Sequence, residues 1–260
     1  MAMIPTGRFV WCEYVSKDER KAQAFFGELF NWKTKQAPMP NGTYSMIEHG
    51  GRTIGGYLQP VAGGMLHPHW MPHLQVTSAK DTATRAKAAG GKVVKEPFKV
   101  GEVGMMAVIH DPFGAELALW QPARPEDADD DYKGLDGTWV WNELYANDID
   151  RTVAFYKTIA GFEVERMSTQ GGGPGPDRYE LLKSDGKARA GVMTLAGVPQ
   201  MWMPYVKVAD SDATVEKAKR LGATIKMPPE TMAGVGRLAV IIDPMGAPLG
   251  LLKPSPTAAP

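Results

Sequence analysis

The chain has 260 residues, of which 43% are hydrophobic and 22% charged, and its 29 basic and 29 acidic residues cancel at pH 7. This composition is typical of a soluble globular protein, and a zero net charge gives no reason to expect nucleic acid or an anionic membrane as a partner. The single cysteine excludes an internal disulfide, and no apolar run reaches the roughly 20 residues of a membrane span. The N-terminal residues lack the layout of a secretory signal, so we expect a cytoplasmic protein.

The first predicted elements are a strand and a helix. Phe9–Val15 alternates apolar and polar faces as a strand does, and Asp18 begins a helical pattern that continues to Phe30. Turn signals rich in Gly, Pro and Asn then separate three short predicted strands. These are Lys33–Gln36, Tyr44–Glu48 and Thr53–Gln59.

The same order of elements follows directly along the chain. A strand is predicted for His73–Val76 and a helix for Lys80–Ala89, which two glycines stop. Three further strands are predicted, namely Lys92–Val94, Gly104–His110 and Glu116–Gln121. The repeating unit is therefore βαβββ.

The whole sequence is duplicated. Between Trp70–Pro122 and Trp202–Pro254 the landmarks recur at a constant offset of 132 residues, so that Asp111-Pro112 returns as Asp243-Pro244. Trp11 and Glu13 return as Trp141 and Glu143 at an offset of 130 residues. The chain is thus predicted to hold four βαβββ modules in two halves.

Two polar stretches interrupt the pattern. Residues 123–136 form an acidic run without apolar period, which predicts a linker between a first domain at 1–122 and a second at 137–256. The run Gly171–Gly175 has no counterpart of equal length in the first half. Because a strand and not a helix is predicted after it, we expect a loop that covers a pocket and not a phosphate-binding loop.

Three local motifs resemble one known family. They are the first strands Trp11-Cys12-Glu13-Tyr14 and Trp141-Asn142-Glu143-Leu144, the Asp-Pro-x-Gly turn before each half's last strand, and Phe30-Asn31-Trp32 after the first helix. Together with the module order, these resemble the vicinal oxygen chelate superfamily, which includes glyoxalase I, extradiol dioxygenases, fosfomycin-resistance enzymes and bleomycin-binding proteins. Two-domain bacterial glyoxalase-like proteins are the most similar. The resemblance implies an α+β fold with two half-barrel sheets and helices outside.

The resemblance also implies a divalent metal ion held by His and Glu on the inner strands, but this chain departs from that pattern. The usual positions carry Trp, Met, Gly or Ala in both halves, and none of these binds a hard metal ion. They are Trp11, Trp70, Met71, Gly55, Gly56 and Ala118 in the first half, and Trp141, Trp202, Met203, Gly191 and Gly250 in the second. We therefore expect no metal cofactor at the usual site.

The residues that replace the ligands suggest a different kind of site. Large aromatic and thioether side chains around one cleft are suited to an aromatic or aliphatic ligand. The predicted ligand-binding residues of this type are Trp11, Trp70, Met71, Trp141, Trp202 and Met203. The alternative is that they fill the barrels as core.

One carboxylate is predicted to face each cleft. Strand alternation places Glu13 on the same side as Trp11, and Glu143 on the same side as Trp141. A carboxylate on an apolar face is costly without a partner, so both are candidate catalytic residues. Three roles stay open: a general base, an acceptor for a ligand group, or a structural anchor.

The two halves differ in their other polar residues. The first carries His73, His110 and Glu116 where the second carries Tyr205, Ile242 and Pro248. We add His73, Glu116 and Tyr205 to the predicted ligand-binding residues. If a divalent ion binds at a displaced site in the first half, Glu13, His73 and Glu116 are its best ligands.

Three functional hypotheses follow. The first is a metal-free protein that binds a small organic molecule in an aromatic cleft. The second is a divalent-metal lyase, isomerase or hydroxylase that acts on a small oxygenated substrate in the first half. The third is a structural or partner-binding duplicate whose clefts are packed shut. Because fused halves can replace a dimer, we expect a monomer.

Overall fold

The structure is a computed structural model of the chain, and it describes residues 4–39, 42–125, 134–167 and 178–256. Most of the predicted linker and all of the glycine-rich run lie outside these ranges. None of the helices within them is long and apolar enough to cross a membrane.

The first half contains eight strands and two helices in the order βαβββ-βαβββ. Their bounds are β1 Phe9–Val15, α1 Glu19–Phe30, β2 Lys33–Met39, β3 Gly42–His49, β4 Arg52–Leu58, β5 His69–Gln75, α2 Ala79–Ala88, β6 Lys92–Val100, β7 Gly104–His110 and β8 Glu116–Pro122.

The second half repeats this order. Its elements are β9 Trp139–Tyr145, α3 Ile149–Ala160, β10 Glu163–Met167, β11 Tyr179–Ser184, β12 Lys187–Met193, β13 Met201–Lys207, α4 Ser211–Arg220, β14 Thr224–Met232, β15 Gly236–Ile242 and β16 Pro248–Pro254.

Each half forms one curled eight-stranded sheet. The strand orders are β2-β3-β4-β1-β5-β8-β7-β6 and β10-β11-β12-β9-β13-β16-β15-β14, so the first strands of paired modules lie antiparallel at each centre. The α+β fold with tandem half-barrels is confirmed. Asp18 and Asp148 begin α1 and α3 by accepting hydrogen bonds from backbone amides of the first turn, as N-cap residues do.

The helix-bearing faces of the two sheets pack against each other. The two largest hydrophobic clusters contain helix and strand residues from both halves, whereas the clusters on the other faces each belong to one half. The Asp of each Asp-Pro turn joins the halves: Asp243 accepts a hydrogen bond of 2.7 Å from Tyr14, and Asp111 accepts one of 3.2 Å from Tyr156. The two concave clefts therefore face away from each other.

The strand β5 begins four residues earlier than its sequence predicts. The prediction began this strand at His73, whereas the observed strand also contains His69-Trp70-Met71-Pro72. Pro72 lies opposite Cys12 of β1, and the parallel ladder with β8 begins only at the next residue, His73. The neighbour β1 pairs with β5 from His69 onward.

Candidate functional site

The alternation of β1 and β5 sorts the predicted site residues into two faces. Trp11, Glu13, Met71 and His73 lie on the concave side of the first sheet, and Tyr14 lies on the helix side. The register pairs Trp11 with His73 and Glu13 with Met71 across the two strands. A polar group is thus built into the centre of the first cleft.

Glu13 is 4% exposed and accepts hydrogen bonds at both oxygens. The Tyr44 hydroxyl donates to Oε1 at 2.7 Å, and Nε2 of His73 lies 3.0 Å from Oε2. The indole N–H of Trp11 donates to the Tyr44 oxygen at 3.1 Å. Four side chains from three strands therefore form one hydrogen-bonded network.

A glycine makes room for this network. Gly56 on β4 lies beside Glu13, and a Cβ atom there would collide with the Tyr44 hydroxyl. The small residue at a usual metal-ligand position therefore admits a tyrosine from the next strand. Gly191 has the same relation to Tyr179 in the second half.

The second half repeats the tyrosine and the carboxylate but lacks the histidine. Tyr179 donates to Oε2 of Glu143 at 3.0 Å, and the Trp141 indole donates to Tyr179 at 3.2 Å. Tyr205 lies opposite Trp141, where His73 lies opposite Trp11. Its hydroxyl is hydrogen-bonded to Tyr145 and not to Glu143.

Among the described residues, no positively charged group therefore contacts the Glu143 carboxyl group. Its Oε1 atom is buried and has no hydrogen-bond partner among the described residues. Burial raises the pKa of Glu143 to about 8, because it outweighs the hydrogen bond from Tyr179 and the nearby Trp141 N–H, which lower the pKa. The two equivalent carboxyl groups thus differ in their surroundings.

The expectation that Trp70 and Trp202 line the clefts is corrected by the structure. Consecutive strand residues face opposite ways, so Trp70 points away from Met71 and packs against Tyr14, Phe26 and other core aromatics. Trp202 packs against Phe9 and donates to the Tyr156 hydroxyl at 2.9 Å. Both are 2% exposed and belong to the core between the halves.

Met71 and Met203 form the floors of the clefts. Met71 packs with Val15, Val108 and Ala118, and Met203 packs with Tyr145 and Tyr205. Above these floors Trp11 and Trp141 remain partly exposed. Each cleft thus has an apolar floor, a polar network and an accessible indole.

Glu116 belongs to a separate cluster at the other side of Met71. Its Oε1 lies 3.1 Å from Nε2 of His69, and its Oε2 lies 2.8 Å from Nε2 of His110 and accepts the Met65 amide at 2.9 Å. Burial by itself raises the pKa of Glu116, but the hydrogen bonds from His110, His69 and Met65 outweigh it and lower the pKa to about 2.

Both ring nitrogens of His69 face acceptors. Nε2 faces the Glu116 carboxylate, and Nδ1 lies 2.9 Å from the His67 carbonyl oxygen. A carbonyl and a carboxylate only accept, so both contacts place a His69 ring nitrogen in a donor position. Glu116 and His69 therefore form a buried hydrogen-bonded pair, and both side chains are at most 3% exposed.

The residues of the first cleft do not fit the divalent ion of the fold family. Glu116 lies two strands from Glu13 with Met71 between them, a backbone separation of about 10 Å. Glu13 and His73 are hydrogen-bonded to each other, and Met71 and Ala118 supply no hard ligand. Within the described ranges, no group of three or more His, Cys, Asp or Glu residues could hold a metal ion.

Two site residues were missed in the sequence. Tyr44 and Tyr179 lie on β3 and β11, two strands away from the carboxylates that they contact. They are 135 residues apart, so the fixed offset of the first strands does not align them. In each half a tyrosine on one strand precedes a glycine on the next strand, Tyr44 before Gly56 and Tyr179 before Gly191. This shared pattern could have identified both tyrosines.

Comparison with known proteins places both halves in one family. The profile of the glyoxalase/bleomycin resistance protein/dioxygenase superfamily matches residues 139–251, and that of a glyoxalase-like domain matches residues 12–120. A Mycobacterium bovis protein named "Putative glyoxylase CFP32" is 32% identical over 95% of this chain and 94% of its own length. "Anthracycline biosynthesis protein DauV" of a Streptomyces species is 26% identical over 97% of this chain and 95% of its own length.

Solved structures agree on the fold. The Mn(II)-bound glyoxalase from Novosphingobium aromaticivorans superposes with a TM-score of 0.66 at 15% identity, covering 98% of this chain and 83% of that chain. The 2,2',3-trihydroxybiphenyl 1,2-dioxygenase from Sphingomonas wittichii has a TM-score of 0.64 at 12% identity, covering 95% and 90%. From the profiles, the full-length relatives and the fold, this chain is a member of the glyoxalase/bleomycin resistance protein/dioxygenase superfamily, also known as the vicinal oxygen chelate superfamily.

Proposed function

We propose that this protein binds a small, planar, oxygen-bearing aromatic molecule in the cleft of its first half. The ligand's rings lie against the Trp11 indole and the Met71 floor, and its oxygen atoms face the polar network of Glu13, Tyr44 and His73. No divalent ion takes part in this binding.

The observation that carries the proposal is the buried polar network beside a partly exposed indole. Burying a carboxylate and an imidazole in an apolar cleft is costly, and a pocket that orients a ligand needs a few such groups among apolar walls. A structural duplicate with no ligand would gain more from apolar residues at these positions. The network therefore favours binding over the purely structural hypothesis.

The full-length relatives support the chemical class of the ligand. One of them is named for anthracycline biosynthesis, and anthracyclines are planar oxygenated aromatics. The divalent-metal lyase, isomerase or hydroxylase is not favoured, because the donor atoms that it requires do not converge in the first cleft.

Fluorescence anisotropy of an anthracycline tests the proposal. The ligand is excited at visible wavelengths, where protein does not absorb, and the chain is titrated into it. We expect the anisotropy to rise with a stoichiometry near one, and we expect Trp11→Ala to weaken binding at least tenfold through the lost stacking. The matched control Trp141→Ala, in the other cleft, should change the affinity less than twofold.

Two results would contradict the proposal. One is an anisotropy that stays flat up to a large excess of protein. The other is a loss of affinity in the Trp141 variant that equals the loss in the Trp11 variant. Circular dichroism of both variants shows whether they are folded.

A further inference from the structure

The hydrogen bond between His73 and Glu13 fixes which ring nitrogen carries the proton. Nε2 lies 3.0 Å from Oε2 of Glu13, and a carboxylate oxygen only accepts hydrogen bonds. Nε2 is therefore the protonated nitrogen, and in the neutral ring Nδ1 holds a lone pair. A carboxylate that selects the tautomer of a histidine in this way is the arrangement that prepares an imidazole to accept a proton.

The other ring nitrogen of His73, Nδ1, has no hydrogen-bond partner among the described residues. It is also not among the side-chain atoms there that are both fully buried and unpaired. Although His73 as a whole is only 4% exposed, its second ring nitrogen is therefore not completely buried, and the residue lies on the concave side of the sheet.

The orientation of the Glu13–His73 pair is also fixed at Oε1, the second carboxylate oxygen of Glu13. Tyr44 donates to Oε1 of Glu13 at 2.7 Å, and Trp11 donates to the Tyr44 oxygen at 3.1 Å. The carboxylate therefore cannot rotate away from His73 without breaking a second hydrogen bond. This preorganisation is what a general base needs.

The second cleft lacks the base. The equivalent of His73 is Tyr205, whose hydroxyl is bonded to Tyr145, and burial raises the pKa of that hydroxyl well above its usual range. The carboxyl group and its tyrosine are present there without an imidazole. Within the network around the first-strand carboxylate, the two clefts therefore differ in the group that could accept a proton.

We propose that the first cleft is a metal-independent proton-transfer site, in which Nδ1 of His73 is the general base and Glu13 is its positioning residue. This inference rests on the proposed binding function, since the substrate occupies the same cleft. The substrate class is an aromatic or conjugated molecule with an acidic C–H bond. Nδ1 takes that proton, the C–H electron pair enters the conjugated system, and the imidazolium then returns the proton to substrate or water.

The probe 5-nitrobenzisoxazole tests this directly, because it is planar, aromatic and opened by a base alone. Nδ1 removes the proton at C3, the C–H electron pair forms a nitrile, and the N–O bond breaks to release a coloured phenolate. We expect a rate above that of buffer, and a loss of 10²-fold or more in His73→Gln. His49→Gln is the matched control, since His49 lies outside the cleft against the Asp136 carbonyl oxygen, and its rate should be unchanged.

A spectroscopic readout separates the role of Glu13 from a structural one. Long-range ¹H–¹⁵N spectra should show His73 protonated at Nε2 and unprotonated at Nδ1 in the native protein. In Glu13→Gln we expect this preference to be lost and the rate to fall at least tenfold while the protein stays folded. A His73 ring that is protonated at Nδ1 in the native protein would overturn the proposal.

The same probe distinguishes a cleft that binds without proton transfer by His73 from a cleft that does not bind at all, because a nitroaromatic quenches tryptophan fluorescence on binding. Quenching that depends on Trp11, without a rate above buffer, would overturn the base and leave the binding function intact. Neither quenching nor rate would overturn both. A rate that His73→Gln leaves unchanged would also overturn the assignment of the base.

Discussion

Glu143→Gln should stabilise the protein at pH 9 and leave its stability nearly unchanged at pH 4. The physical reason is that Glu143 is buried among neutral aromatic groups, with Oε1 unpaired in the described structure. Burial raises its pKa to about 8, well above the value of 4.5 for a free side chain. Glutamine, the neutral isostere, avoids the free-energy cost of burying the ionised Glu143 carboxylate or of keeping it protonated at high pH.

The sign of the pH dependence follows from proton linkage. Below pH 4.5 the folded and unfolded chains both hold the proton, so the group has no effect. Between pH 4.5 and about 8 the unfolded chain releases the proton while the folded chain keeps it, and stability falls as pH rises. The loss approaches a limit on the order of 5 kcal/mol above pH 8.

Guanidinium unfolding of both proteins at pH 4, 7 and 9 measures this effect. The difference in the free energy of unfolding should grow with pH in favour of Glu143→Gln. The equivalent substitution Glu13→Gln is the matched control. It should destabilise the protein at pH 7 by about 1–3 kcal/mol, because an amide N–H₂ then faces one of the two donors, Tyr44 or His73. Parallel pH profiles for native protein and Glu143→Gln would contradict the account.

Glu116→Gln should cost about 3–5 kcal/mol of stability at pH 7. The substitution replaces a buried carboxylate that accepts from His69, His110 and the Met65 amide by an amide whose N–H₂ group cannot accept, and breaking such a buried pair is strongly destabilising. The contribution of this carboxylate is present above pH 4.5 and is lost as the pH falls toward about 2, where the folded group takes up its proton.

Chemical denaturation at pH 7 and pH 3 checks the Glu116 prediction. The exposed Glu102 in the same half gives the matched control, and Glu102→Gln should change stability by less than about 0.5 kcal/mol. A Glu116 variant as stable as this control would show that the buried hydrogen bonds of Glu116 do not hold the cluster together.

Much of the architecture could be predicted because it depends on local sequence patterns. Alternation, turn residues and the duplicated Asp-Pro turn predicted the four modules, and alternation also placed Glu13 beside Trp11. The facing of Trp70 could not be derived in the same way. Trp70 precedes the predicted strand start at His73, so alternation left its orientation undetermined and only the family resemblance placed it at the cleft.

The partners of each polar group depend on contacts across strands, which a single sequence does not display. Glu13 was placed correctly, but its bonds to Tyr44 and His73 depend on the order of four strands. Glu116 was grouped with Glu13 and His73 because all three face the same side. Only the register shows that Met71 separates them and that His69 and His110 are the partners of Glu116.

¹⁹F NMR of the protein labelled with 5-fluorotryptophan tests the central claim most directly. The seven tryptophans give seven signals that Trp→Phe variants assign, and Trp32, Trp70, Trp139 and Trp202 are buried in the core between the halves. On addition of an anthracycline, we expect the Trp11 signal to shift saturably while these four stay in place. Saturable shifts confined to the buried tryptophans or to Trp141, with the Trp11 signal unmoved, would contradict a binding site in the first cleft.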